Sequence, residues 1–268
     1  MRWVLTEQQW QRLLAHLPPQ EPVRGRPARD HRVVIEAILW VARTGAPWRD
    51  LPAEAGVSWK TASSRFYRWT ASGVWQKVLD ELQRGSDQQG DIDWSKHFVD
   101  GSSVRAHQHA AGAKGSCQED EALGRSRGGF TSKIHLKAEG YGKPLAFLVT
   151  AGHRHEASMF EPLLETGSVK RADRGRPKLR PECVVADKGY NSERIRELLN
   201  SKQVKSVIPV RSDQSRDENF DREAYRERNL VERLINRLKQ WRRIATRYEK
   251  RVANYGGMLT LATVTLWL

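Results

Sequence analysis

Asp100, Asp187 and Glu232 are the side chains of this sequence whose types and settings could do chemistry together. Asp100 closes the run HFVD and Asp187 the run CVVAD, short apolar stretches of β-like composition, and a glycine follows each within two residues. Glu232 lies in YRERNLVERLINRLK, from Tyr225 to Lys239. At about 100° per residue, Tyr225, Arg228, Glu232 and Lys239 fall within roughly 60° of one another on a single helix. Leu230, Leu234, Leu238, Trp241 and Ala245 fall on the other side, so an apolar face can pack while a carboxylate flanked by cations points elsewhere. Two strand-borne aspartates and one helix-borne glutamate are what a pair of divalent cations needs for in-line attack on a phosphodiester. Arg228 either pairs with Glu232 one turn away or meets phosphate; Lys239 is too far along the helix to pair with Glu232 directly.

The elements that must position these groups read as two parts. Residues 1–85 are helical: Thr6 caps a first helix that Pro18 and Pro19 stop, HRVVIEAILWVARTG gives an apolar helix ending at Gly45, and GVSWKTASSRFYRWTASGVW follows. That last piece is a candidate helix-turn-helix, with Gly56 at the turn, Ser58 as N-cap and Lys60, Arg65 and Arg68 displayed. Its alternative is a small helical bundle whose basic residues merely solvate it. Residues 86–93 read as a linker, and 94–268 as an α/β domain. Within it HFVDGSSV, SKIHLKAEG and PLAFLVTAG predict an antiparallel meander. In the second of these, Ile134, Leu136 and Ala138 alternate against Lys133, His135 and Lys137. A helix, the strand CVVADKGY, a helix, the strand KSVIPVR and the Glu232 helix come next. This is the element order of a ribonuclease H-like fold, a mixed five-stranded sheet with flanking helices, behind an all-α N-terminal domain.

A formal net charge of +14 over 268 residues favours a polyanionic partner, nucleic acid ahead of an acidic membrane surface. Basic loops carrying Arg125, Arg127 and Lys133, and residues 170–180, would track DNA backbone beside an anionic substrate. Cys117 and Cys183 form no disulfide or zinc pattern, which fits a reducing cytoplasm. The N-terminus lacks a signal-peptide core, and no apolar run is long enough to span a membrane; MLTLATVTLWL reads as a buried terminal helix. His153 and His155 alternate beside Glu156, which leaves a structural role, an accessory role or a metal site open.

The pattern Y-(2)-R-(3)-E-(6)-K at Tyr225, Arg228, Glu232 and Lys239, with D-x-G-Y at Asp187, Gly189 and Tyr190, resembles the DDE transposases of bacterial insertion sequences, in particular the family of insertion sequence five. The resemblance covers nearly the whole chain. It implies Asp100, Asp187 and Glu232 as catalytic metal ligands for two Mg²⁺ ions, with Mn²⁺ able to substitute. It implies Arg228 and Lys239 as phosphate contacts, Tyr225 on a base or phosphate, and His155 and Glu156 as accessory groups. The expected partners are DNA, as terminal inverted repeats and as target, and a second copy of the chain in a synaptic complex. The expected setting is a bacterial cytoplasm at the nucleoid. A ribonuclease H-like nuclease that does not join ends, and a catalytically retired DNA-binding regulator, are the competing readings.

Overall fold

The computed structural model describes every residue except 1–4, 22–27, 112, 114, 118–119, 127, 172–173, 211–213, 215–217 and 219. Four helices come first: α1 (Glu7–Leu14), α2 (His31–Thr44), α3 (Trp59–Ala71) and α4 (Val74–Gln88). Their ends follow from local chemistry. Thr6 and Gln9 close a capping box on α1, Ser58 accepts from the Thr61 amide at the start of α3, and Gly45 ends α2 in the left-handed region at φ 75°.

The sheet is built from β1 (Lys96–Ala106), β2 (Gly124–Ser126), β3 (Gly129–Glu139), β4 (Pro144–Ala151), β5 (Cys183–Ala186), β6 (Lys205–Val207) and β7 (Thr246–Arg247). β1, β3 and β4 form the expected antiparallel meander, and β5 and β6 join in parallel beyond β1. The five long-range strands therefore run β4-β3-β1-β5-β6, the ribonuclease H-like order, with β2 and β7 as short additions on β3 and β1. The helices of this part are α5 (Phe160–Leu164), α6 (Glu193–Ser201), α7 (Arg222–Arg226), α8 (Asn229–Lys239), α9 (Arg242–Ala245) and α10 (Val252–Trp267). Among the described residues no helix is long and apolar enough to cross a membrane.

Expectations of three kinds need correction, the first about how the two parts join. α4 runs on to Gln88, so the N-terminal helical part does not stop at residue 85, and the joining segment is pinned: Asp87 accepts from Trp94 Nε1 at 2.7 Å and from Lys178 Nζ at 2.8 Å. The N-terminal helices also share one core with the sheet. α10 packs on α2, α3, α4 and β4, and buried side chains run continuously from Leu5 through Phe66 and Trp75 to Phe98, Val185 and Trp267. Each large apolar side chain on that path contributes about 1.5–3 kcal/mol by leaving water. Between α2 and α3 lie two 3₁₀ turns, Trp48–Asp50 and Ala53–Ala55, where a helix-turn-helix would have a tight turn.

The second correction concerns β3. Its alternation does not separate a wet face from a dry one, because α5 and α6 cover the far side: Val99, Phe160, Leu164, Val184 and Ile195 make a second core there. His97, His135 and Lys137 are consequently fully buried. Lys137 Nζ donates to the carbonyls of Leu164 and Thr166 at the end of α5, and burial pushes its pKa down to about 8. Lys137 has a lowered folded pKa, so between pH 8 and the unfolded value the unfolded chain binds the extra proton and stability rises with pH; below pH 8 the cost is constant. Urea titrations at pH 7 and pH 10 should show wild type gaining on Lys137→Met, by at most on the order of 3 kcal/mol. Parallel pH profiles for the two proteins would remove this charge from the energetics.

The third is the Tyr225–Lys239 helix, which is two helices. The chain turns at Glu227 and Arg228 between α7 and α8, and Trp241 caps α9 instead of continuing the apolar stripe of α8.

Candidate active site

Asp100 lies mid-strand on β1, on the face of Phe98, and Asp187 follows the last residue of β5. The parallel register pairs Phe98 with Val185 and Val99 with Ala186, and one further step sets Asp187 beside Asp100. Adjacent strands lie about 4.8 Å apart, so the two carboxylates emerge as neighbours on one face. Local hydrogen bonds hold each: Asp100 Oδ1 accepts from the Gly101 amide at 2.8 Å, and Asp187 Oδ1 caps a 3₁₀ turn by accepting from the Gly189 amide at 2.8 Å. Burial raises the Asp100 pKa, the Arg228 guanidinium opposes that, and the Asp187 charge adds to it.

Arg228 joins the helix to the sheet. Its Nη1 is 2.9 Å from Asp100 Oδ2 and its Nη2 is 2.8 Å from Glu232 Oε1. Glu232 sits in the first turn of α8 with its side chain 53% exposed, so the third carboxylate reaches Asp100 through a guanidinium. Of the two sequence readings of Arg228, the pairing with Glu232 one turn on is present, and the same guanidinium also meets Asp100. Lys239 Nζ donates to the Ser103 carbonyl at 3.1 Å, farther along β1, and Tyr225 packs on Phe220 with ring centroids 5.4 Å apart.

Of the two accessory candidates, His155 and Glu156, only Glu156 reaches this place. A Cβ at Gly101 would lie 2.8 Å from Glu156 Oε1, and one at Gly189 would lie 2.9 Å from Asp187 Oδ1 and 3.5 Å from Glu156 Oε2. The two glycines therefore leave room for a carboxylate beside the aspartates. Lys133 pairs with Glu156 at 3.3 Å. Below them Tyr190 is buried against Phe160, its hydroxyl without a hydrogen-bond partner among the described residues, and burial and the charges of Glu156, Asp100 and Asp187 push its pKa far up. Sequence reasoning marked Tyr190 only as part of a motif; its place as the floor under three carboxylates needed the turn that Asp187 caps. His155 stays on the surface.

Among the remaining basic residues, Lys60 and Arg68 are exposed on α3, and Arg125 is exposed on β2 with its guanidinium 5.7 Å from the Phe130 ring. Arg127 lies outside the described residues. Arg65 is a correction. It is 6% exposed, because it shares the inward face of α3 with Ala62, Phe66 and Trp69, and it is not displayed on the helix surface.

As a metal site the donor set has the right chemistry, hard carboxylate oxygens. Asp100 and Asp187 emerge side by side, whereas Glu232 stands one guanidinium away. Among the described residues no three of His, Cys, Asp and Glu close on a single ion.

The family described as "Transposase DDE domain" matches residues 96–267, and "Putative transposase of IS4/5 family" matches residues 5–79. The chain is 37% identical over 110 residues to "Uncharacterized protein y4sN" of Sinorhizobium fredii, covering 41% of this chain and 82% of that protein. It is 30% identical over 139 residues to "Putative transposase for insertion sequence element IS6501" of Brucella ovis, covering 52% of this chain and 98% of the relative. Among solved structures it is similar to the piggyBac transposase synaptic complex with hairpin DNA, with a TM-score of 0.43 and 10% identity over 95% of this chain and 69% of that one.

Proposed function

Because the chain belongs to the transposase DDE-domain family, we propose that it cuts DNA at the terminal inverted repeats of an insertion sequence and joins the freed ends to target DNA, with Asp100, Asp187 and Glu232 as its catalytic carboxylates. The observation that carries the site assignment is the arrival of Asp100 and Asp187 side by side at adjacent parallel strands, with Glu232 tied to Asp100 through Arg228.

Membership of the family brings dependence on a divalent metal. Mg²⁺ is the ion proposed here, as a pair held by the three carboxylates with Mn²⁺ as a substitute; when bound it supplies charge relief at the phosphate and activation of the attacking oxygen. The chain's own residues do the rest. Asp100 and Asp187, held by the Gly101 and Gly189 amides, fix where the phosphate sits. Arg228 and Lys239 neutralise phosphate oxygens on the flank, and Lys133 holds Glu156 at the rim. Water attack forms one P–O bond, breaks the bond to the 3′ oxygen, and leaves a 3′-hydroxyl and a 5′-phosphate. That hydroxyl then attacks a target phosphodiester and displaces its 3′ oxygen, so each bond broken is replaced by one formed and no energy source is needed.

Joining two ends calls for two copies of the chain, so a homodimer is the proposed working form, in the bacterial cytoplasm at the nucleoid. Lys60, Arg68 and Arg125 would follow DNA backbone.

The Arg228 bridge between Asp100 and Glu232 is the observation that favours a retired, binding-only protein. One experiment decides: incubation with Mg²⁺ or Mn²⁺ and DNA carrying the gene's flanking ends. Cleavage at the ends followed by strand transfer is the expected result. Binding without cleavage in either metal would hand the assignment to the binding-only protein, and cleavage without joining to a nuclease.

A further inference from the structure

Arg65 carries a charge that nothing acidic answers among the described residues. It is 6% exposed, and its Nη1 is 2.9 Å from His31 Nδ1. His31 Nε2 lies 3.1 Å from the Pro18 carbonyl, which can only accept, so Nε2 carries the proton and Nδ1 takes the hydrogen bond from Arg65. A neutral imidazole therefore orients the guanidinium without neutralising it. Trp69, with its ring centroid 5.1 Å away, braces the other side.

The guanidinium lines an open cleft of about 540 Å³ that also contains Pro18, Arg68, Trp69 and Ser72, and no Asp or Glu lines it among the described residues. Arg68, one turn along α3, adds a second positive charge and is exposed. Two guanidiniums on one cleft, one of them buried, are unfavourable unless an anion with several acceptor oxygens completes them. The net charge of +14 favours a phosphodiester of nucleic acid over a carboxylate.

We infer that Arg65 and Arg68 clamp one backbone phosphate of the DNA end, with His31 and Trp69 as positioning residues. This rests on the reading that the protein acts on DNA; it does not depend on catalysis. The test uses the full chain and duplexes of the flanking end in which single phosphates are replaced by neutral methylphosphonates, with affinity read by fluorescence anisotropy. Wild type should lose roughly tenfold in affinity at one position inside the footprint. Arg68→Gln should lose roughly tenfold on unmodified DNA and lower the salt slope by about 0.9, whereas Arg65→Lys, which keeps the charge and loses the fork, should lose roughly tenfold with the slope unchanged; neither should lose anything further at that position. Melting curves show whether Arg65→Lys folds; if it does not, the exposed Arg68→Gln carries the test alone.

Folded variants that bind like wild type, or that keep the full penalty at every methylphosphonate, would overturn the clamp. A wild-type protein that does not bind the duplex sinks it together with the transposase reading. Coupling at one phosphate without any cleavage keeps the clamp and sinks the catalytic reading alone.

Discussion

Asp187→Asn is expected to bind flanking-end DNA with wild-type affinity and to lose cleavage and strand transfer by a thousandfold or more, on the order of what losing one group essential to transition-state charge costs. The substitution is close in shape, and the side-chain carbonyl can still accept from the Gly189 amide, so the 3₁₀ turn that Asp187 caps keeps its hydrogen bond. What changes is charge. Asp187 is one of the charges that raise the Asp100 pKa, so its removal leaves Asp100 more readily ionised and makes the Arg228 pairing stronger. A variant that merely disturbed folding would lose binding as well as cleavage; a variant that lost a metal ligand loses cleavage alone. Gel-based cleavage and anisotropy on the same duplex separate the two. Cleavage within tenfold of wild type would take Asp187 out of the chemistry and leave the Asp100–Arg228–Glu232 chain as a structural tie.

How much of this was legible in the sequence depended on whether the signal was local. An apolar run ending in Asp with a glycine close behind marks a strand that delivers a carboxylate, and Asp100 and Asp187 are where that signal put them. Their adjacency was not legible, because it depends on the pairing of Lys96 with Cys183, 87 positions farther along the chain, a long-range register that only the closed sheet sets. Helical phase gave the Arg228–Glu232 pair but not the reach to Asp100. No Gly or Pro announces the turn at Glu227 and Arg228, so the split into α7 and α8 left no mark in composition. The burial of Arg65 was there to be read: Ala62, Arg65, Phe66 and Trp69 fall at i, i+3, i+4 and i+7, one stripe of α3, and counting cations without tracking phase put Arg65 on the wrong side. β3 misled for a physical reason. Alternation marks a half-wet strand only where one face is open, and here helices cover both, which buries Lys137 and His135.

Glu249→Ala should destabilise the whole chain by roughly 3–5 kcal/mol, a large part of the stability of an ordinary domain. Glu249 is 5% exposed and Arg243, its ion-pair partner, 6%. Arg243 Nη2 also donates to the Ala46 carbonyl at 2.8 Å just beyond α2, and its guanidinium lies 5.6 Å from the rings of both Trp48 and Tyr248. Truncating Glu249 leaves that guanidinium buried with its charge unanswered, in the seam that joins the N-terminal helices to the catalytic sheet. Arg247 next to it is a second fully buried cation, donating to the carbonyls of Glu249, Lys250 and Ala122 and to Ser132 Oγ, and it loses the same counter-charge. The double variant Arg243→Met with Glu249→Leu should recover most of the stability, because it removes both charges from low dielectric at once. Urea midpoints of the three proteins test this, and a cost below 1 kcal/mol for Glu249→Ala would mean that water reaches the pair. If the double variant recovers stability while DNA binding weakens, the pair serves to set how α2 and α3 sit on the sheet: an apolar replacement can fill the seam, but it gives Ala46 no donor and leaves the register between the two parts less defined.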